Sequence, residues 1–499
     1  MSATRTSTPN SQRPTPKAAS RALGVRGWVL GVVAGLLLAP LAAQTRPDRT
    51  KAPPLAPPPQ LTLPPIQKRA LANGLPVWLI EAHEVPIVQV NLAVFAGSGD
   101  DPAGKFGTAS LTAAMLDEGA GARSALEIAD AIEFLGASLA TTSSFDASAV
   151  RLNVPVARLQ DALPVMADVA LRPRFEDGEL NRVRQERLTA LLQARDDPPQ
   201  IAAMSFARTV FGPAHRYGTG AVGTEATLKA FTPQDLRAFH AAFYQPSNAT
   251  LVVVGDIRAD TVMPQLEKQF GGWKSAAPIT RVDVPVAPQL TQGQITIVDK
   301  PGAEQSQIRI GWVGLRRNNP DYFPLQVLNT VLGGSFTSRL NQNLREEHGY
   351  AYGASSAFDM RLSAGPFVAA AGVQTDKTAE ALREFFSELN AIRTPIPPEE
   401  LAKAKNYIAL GFPSDFETTN DLASNLEQLL VYKLPENYFE RYVGNIQAVT
   451  TDVVQKAAMK YLDPATFAVV VVGDRKVIEA PVRALGLMPV RVLTVDEAI

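Results

Sequence analysis

Two stretches 218 residues apart repeat one design, and that repeat limits the chain more than any other feature of it. Tyr244 to Ile257 reads YQPSNATLVVVGDI, and Tyr461 to Arg475 reads YLDPATFAVVVVGDR. Each is a helix end, a proline turn, an apolar strand and Gly-Asp, with Asp256 and Asp474 in corresponding positions. A short unbroken apolar run closed by turn residues reads as a strand buried on both faces. Tyr, Pro and Gly-Asp keep nearly the same offsets in both, so the chain is two copies of one unit. Gly271 to Gln294, GGWKSAAPITRVDVPVAPQLTQGQ, is rich in proline and glycine and weak in periodicity, and it joins the copies. The expected organisation is a first domain over 66–270, a linker over 271–294 and a second domain over 295–490.

Within the first copy, Asn73-Gly74 between apolar runs predicts a hairpin. Val88 to Phe95 and Ala147 to Val154 read as strands. Gly107 to Leu116, Ser124 to Leu135, Val156 to Ala170 and Asp177 to Ala194 read as helices, and Ser124 with Glu127 forms a capping box. The strands cluster instead of alternating strictly with helices, so the fold class is α+β: two homologous mixed α/β domains, a duplicated sheet-plus-helices unit.

The ends belong to neither copy. Residues 1–43 carry Arg5, Arg13, Lys17, Arg21 and Arg26 with no acid, then an apolar run from Trp28 to Ala39 and Pro40-Leu41-Ala42-Ala43. That is the pattern of a secretory signal peptide, and the run is short of the about 20 residues a spanning helix needs. An uncleaved N-terminal anchor is the alternative; after cleavage no stable membrane span is expected. Removing the segment shifts the net charge from −1 to −6. The expected compartment is the periplasm. Zero cysteines in an exported chain leaves stability to core burial alone. Residues 44–65 hold eight prolines and read as an extended linker. With 19 % charged residues and no basic stripe, nucleic acid is not an expected partner.

The second copy holds the densest functional run, Gly333 to Tyr352, GGSFTSRLNQNLREEHGYAY. Gly333 and Gly334 end one apolar pattern, and Ser335 or Thr337 is positioned to cap a new helix. Leu340 and Leu344 share its buried face, and Gly349 stops it. A strand follows in which Tyr350 and Tyr352 face the same way. This run resembles the segment of the inverted-zincin metallopeptidases, of the pitrilysin, insulin-degrading enzyme and mitochondrial processing peptidase type, in which an Arg and a Tyr separated by six residues hold the substrate backbone opposite a zinc. Here they are Arg345 and Tyr352. The resemblance covers about 66–485 and implies half of a clam-shaped chamber. It also implies a substrate-accepting turn at Gly333, Gly334 and Ser335, and strand addition of peptide near Val94-Phe95-Ala96.

The same resemblance implies His-x-x-Glu-His on the helix after Gly107, where two His at i, i+4 bind zinc, and a further Glu ligand shortly before an Asp/Pro turn. The corresponding positions are Ser110, Ala113, Ala114 and Ala190, none of which is a ligand. Glu186, one turn from Ala190, reads as one charge on a solvated helix face. His83, His215, His240 and His348 are spaced by 132, 25 and 108 residues, so no pair has helical ligand spacing. Gly-x-Ser-x-Gly is absent, and Gly97-Ser98-Gly99 reads as a turn. The expectation is a chain with no metal or other cofactor of its own. It would be the zinc-less, substrate-binding subunit of a heteromeric peptidase acting on peptides, in a heterodimer or dimer of heterodimers with a homologous zinc-binding subunit. The alternative is a non-enzymatic peptide-binding or scaffold protein of the same fold.

Overall fold

A computed structural model describes residues 57–58, 61–275, 278–281 and 283–499. The expected signal peptide and most of 44–65 lie outside them. From Pro58 to Ile499 the chain forms one compact unit. Its first half runs β1 (Gln67–Ala70), β2 (Pro76–Glu81), β3 (Ile87–Val94), α1 (Thr108–Ala114), α2 (Ala125–Phe134), β4 (Ser138–Ser143) and β5 (Ser148–Pro155). It continues with α3 (Leu159–Leu171), α4 (Asp177–Ala194), α5 (Pro198–Phe211), α6 (Glu225–Ala230), α7 (Pro233–Phe243), β6 (Ala249–Gly255) and α8 (Ala259–Phe270). The described part of 271–293 carries neither helix nor strand, and β7 begins at Gln294.

The second half repeats the order: β7 (Gln294–Asp299), β8 (Gln305–Val313), α9 (Tyr322–Leu332), α10 (Arg339–Asn341), β9 (Ala351–Phe358) and β10 (Pro366–Gln374). Then come α11 (Thr378–Ala391), α12 (Pro398–Gly411), α13 (Thr419–Tyr432), α14 (Tyr438–Gln447), α15 (Thr451–Tyr461), β11 (Ala468–Gly473) and α16 (Arg475–Ala484), with β12 (Val490–Leu493) and α17 (Val495–Ala498) at the end. The sheets run β1-β2-β6-β3-β5-β4 and β12-β7-β11-β8-β10-β9 and match over five strands; the sixth differs, β1 pairing antiparallel with β2 and the C-terminal β12 parallel with β7. In each, the repeated apolar strand pairs parallel with one neighbour and antiparallel with the other, β6 with β2 and β3, β11 with β7 and β8.

Those two strands are wholly buried because each half covers both of their faces with different partners. On β6, Leu251 and Val253 point into the first half's own core, while Val252 and Val254 meet Leu422, Ala423, Leu426 and Leu429 of α13, from the second half. On β11, Val469 and Val471 join the second core, while Val470 and Val472 meet Ile201, Ala202, Phe206 and Val210 of α5, from the first. Each half therefore lends a helix to the outer face of the other's sheet. The strand period of two turns this exchange into an unbroken apolar run. Gly255 closes its run at φ +146, where a Cβ would lie 2.1 Å from the carbonyl oxygen of Ile87, so a side chain is excluded.

One polar cluster is built into the same junction. Glu427 of α13 is 8 % exposed and lies against the first sheet. Asn91 Nδ2 donates to its Oε1 at 2.6 Å, Arg151 Nε donates to the same oxygen at 3.2 Å, and Arg151 Nη2 donates to Oε2. Asn91 and Asn153 are in turn bonded to Gln89.

The hairpin at Asn73-Gly74, the Ser124/Glu127 box and the helix over Asp177–Ala194 stand where the sequence puts them. One expectation is corrected. Val94-Phe95-Ala96 offers no edge, because β3 is hydrogen-bonded to β5 on one side and β6 on the other. The free edge of that side of the sheet is β4, SLATTS, which packs beside α1.

Candidate functional site

The run from Gly333 is shaped by close packing. A Cβ on Gly333 would lie 2.4 Å from Ser356 N, and one on Gly334 would lie 2.6 Å from Asn329 Nδ2, so the turn lies flat between α9 and β9. Ser335 Oγ donates to the Thr330 carbonyl at 3.1 Å, closing the end of α9. The next helix starts later than Ser335 or Thr337 would allow: its N-cap is Ser338, because the chain first needs those residues to cross from α9. α10 then widens into a π-turn over Gln342–Glu347, a form that recurs at functional positions. Leu340 and Leu344 are fully buried beneath it. Arg339 grips Glu400 through two hydrogen bonds of 2.8 and 2.7 Å, and Asn343 donates to Glu384 and Glu388. Gly349, at φ +65, ends the turn.

Tyr350 and Tyr352 do not share a face. Tyr350 precedes the strand, packs on the second core and stacks on His348 with ring centroids 4.9 Å apart. On β9 the register slips, Ala354 opposing Ala371 but Ala351 opposing Val373. Two residues of β9, Tyr352 and Gly353, therefore face one of β10, a bulge that turns Tyr352 outward. Asn341 holds this geometry from both sides. Its Oδ1 accepts from Ala354 N at 2.9 Å and its Nδ2 donates to the Ser335 carbonyl at 3.3 Å.

The bulge brings Tyr352 and Arg345 together. The Arg345 guanidinium carbon lies 5.4 Å from the Tyr352 ring centroid and 4.4 Å from that of Phe336. Tyr352 is 89 % exposed and Phe336 64 %, so the cation sits between two rings that face solvent. Its acid neighbour is Glu346, the next residue, with Oε1 3.4 Å from Nε. Among the described residues neither the Arg345 guanidinium nor the Tyr352 hydroxyl is committed to a hydrogen bond, leaving donors available to a carbonyl group. Phe336 was not picked out by sequence reasoning, although it lies in the same run.

In the first half, α1 occupies the position equivalent to α9, and β4 that of β9. Its start is fixed by Asp101, which is buried and accepts from Gly107 N at 2.7 Å and Ala109 N at 2.8 Å. Burial raises the Asp101 carboxyl to about 7. A carboxyl raised on folding stabilises the folded state fully below its unfolded value and loses that contribution as pH rises through the folded one. Urea midpoints from pH 4 to 8 are therefore expected to fall more for the wild type than for Asp101→Asn; parallel curves would show the carboxyl to be ordinary.

Ser110, Ala113 and Ala114 lie on α1 and Ala190 on α4, presenting a hydroxyl and methyl groups where the resemblance puts metal ligands. A cation already occupies the space. Arg187 of α4 donates from Nη1 to Ser110 Oγ at 3.2 Å and from Nη2 to the Ser110 carbonyl at 2.9 Å. Burial pushes the Arg187 guanidinium below its ordinary value, with no acid offsetting it. A hydroxyl, methyl groups and a fixed positive charge do not fit a divalent metal. Among the described residues no group of three His, Cys, Asp or Glu side chains is arranged to hold one. Glu186 is paired with Arg182 at 2.6 Å on an exposed face, away from this contact. Arg187 had no sequence signal beyond standing one turn from Ala190.

Comparison with known proteins follows this geometry. Residues 77–212 match the model of the insulinase peptidases, family M16, and residues 230–408 that of the peptidase M16 inactive domain. The chain is 26 % identical over 362 residues to the uncharacterized zinc protease YmxG of Bacillus subtilis, covering 72 % of this chain and 86 % of that protein. The crystal structure of a peptidase M16 inactive domain from Pseudomonas fluorescens superposes with a TM-score of 0.76 at 25 % identity, covering 82 % of this chain and 98 % of that one. The periplasmic protease PqqL of Escherichia coli shares the fold, with a TM-score of 0.71 at 17 % identity over 85 % of this chain and 49 % of that one. With both halves matched by family models and one duplicated α+β architecture throughout, the chain belongs to peptidase family M16.

Proposed function

We propose that this chain is the zinc-less, substrate-binding subunit of a periplasmic two-subunit metallopeptidase, lending Arg345 and Tyr352 to a zinc site held by a homologous partner. The observation that carries the reading is the pairing of the Arg345 guanidinium with an exposed phenol, held by Asn341 and the β9 bulge, in a chain whose own ligand positions are Ser110, Ala113, Ala114 and Ala190. The guanidinium donates to a peptide carbonyl, and the phenol donates to the oxygen that gains charge as the carbonyl is attacked. Gly333, Gly334 and Ser335 border the path of the peptide backbone, and β4 is the free edge to which an extended peptide adds in the first half.

Three findings support the assembly and compartment. The match over 230–408 is to an inactive domain. The periplasmic PqqL is long enough that this chain covers 49 % of it, leaving room for a second unit of this size. No helix among the described residues is long and apolar enough to cross a membrane.

The test is co-expression with an M16 chain from the same organism that carries His-x-x-Glu-His, followed by zinc analysis and peptide hydrolysis of each chain and the pair. The expected result is zinc in the partner alone and hydrolysis by the pair. A partner as active alone as in the pair would refute the reading and leave a non-enzymatic peptide-binding protein.

A further inference from the structure

Arg187, one turn from Ala190, brings a charged group to Ser110, one of the positions where the resemblance puts a metal ligand. It is half-buried, donates two hydrogen bonds to Ser110, and has no carboxylate partner among the described residues. A guanidinium taken out of water without a counter-charge is costly, and its planar fork is suited to two parallel bonds from a carboxylate. The bonds to Ser110 leave N–H groups on Nε and on both terminal nitrogens. Ser110 lies on α1, and α1 packs beside β4, the edge strand with unpaired backbone groups. A peptide extended along β4 would run beside α1, the helix whose Ser110 is bonded to Arg187.

We infer that the former ligand position is now an anion site in which Arg187 binds the terminal carboxylate of a peptide lying along β4. This rests on the peptide-binding reading above. The ligand class is a peptide with a free C-terminus. A side-chain carboxylate has the same chemistry, so the experiment separates the two.

Three fluorescein-labelled peptides of one extended sequence are titrated against the full chain: a free acid, its C-terminal amide, and the amide with one internal glutamate. The free acid is expected to bind about tenfold or more tightly than the amide, the range of a charge-assisted hydrogen-bond pair. Arg187→Gln, which keeps a donor to Ser110 but no charge, is expected to erase that preference. A melting curve of the variant confirms that it is folded, and Arg187→Lys serves if it is not, retaining charge but losing the fork and most of the preference. Equal binding of acid and amide by the wild type overturns the inference. The amide with internal glutamate binding as well as the acid overturns its assignment to the terminus. Absence of binding by all three refutes the peptide-binding reading itself, a result distinguishable from the other two.

Discussion

Arg345→Ala, made in this chain and assayed in the complex with its zinc-carrying partner, is expected to lower kcat for peptide hydrolysis by about 100- to 1000-fold, the cost of removing one preorganised donor that holds a substrate carbonyl in the reacting geometry. Tyr352→Phe, which removes only a hydroxyl from a side chain 89 % exposed, gives a loss of the same order with no change in folding. Both effects arise in a chain expected to carry no metal, which separates them from damage to the hydrolytic site. The double variant should lose little more than the worse single one, since residues that act on one group as a unit are not additive. Phe336→Ala is expected to have a smaller effect, because the ring at 4.4 Å steadies the guanidinium without contacting a substrate carbonyl. Steady-state kinetics on an internally quenched peptide reads all four. If Arg345→Ala and Tyr352→Phe leave kcat within about twofold of wild type, the pair is a surface feature and the proposed division of the active site fails.

Glu427→Ala is expected to cost about 3–5 kcal/mol of unfolding free energy, large for a single residue. The carboxylate is 8 % exposed and takes hydrogen bonds from Asn91 and Arg151, which stand on adjacent strands of the opposite half. Removing it leaves a cation largely out of water and an amide without its acceptor, in a junction where α13 has excluded solvent. Glu427→Gln keeps the acceptor and loses less. Replacing Glu427 and Arg151 together by leucine and methionine should recover most of the loss, because a well-packed apolar pair avoids the desolvation of both charges. Urea denaturation of the three variants measures this. A cost for Glu427→Ala below about 1 kcal/mol would put the pair in the class of surface ion pairs and remove it as a tie between the halves.

The junction also shows why some of the fold was legible and some was not. Unbroken apolar runs at Leu251–Val254 and Ala468–Val472 announced strands covered on both faces, and their spacing announced duplication. What covers them did not appear in the sequence. The apolar face of α5 reads the same whether it packs on its own sheet or on the other half's. The edge strand β4 was missed for a related reason: SLATTS is short and partly exposed on both faces, so it lacks the hydrophobic signal that marked β3. Backbone pairing, which propensity does not encode, made β3 internal and left β4 free.

At the site, the family resemblance directed attention to Ser110, Ala113, Ala114 and Ala190 as ligand positions without ligating side chains and to Arg345 and Tyr352 as a pair. It could not bring the last two together. That depended on a register slip of one residue between β9 and β10 and on Asn341 bonding both the strand and the Ser335 turn. Nor could it reveal that Arg187 reaches Ser110 across 77 residues of chain. By itself the sequence determined the duplication and the α+β class, because these follow from periodicity, and the resemblance of one run to known peptidases pointed to the family. The exchange of helices, the free edge, the aim of Tyr352 and the placement of Arg187 were decided only in three dimensions, because each depends on which distant backbone or side-chain groups close packing brings within bonding distance.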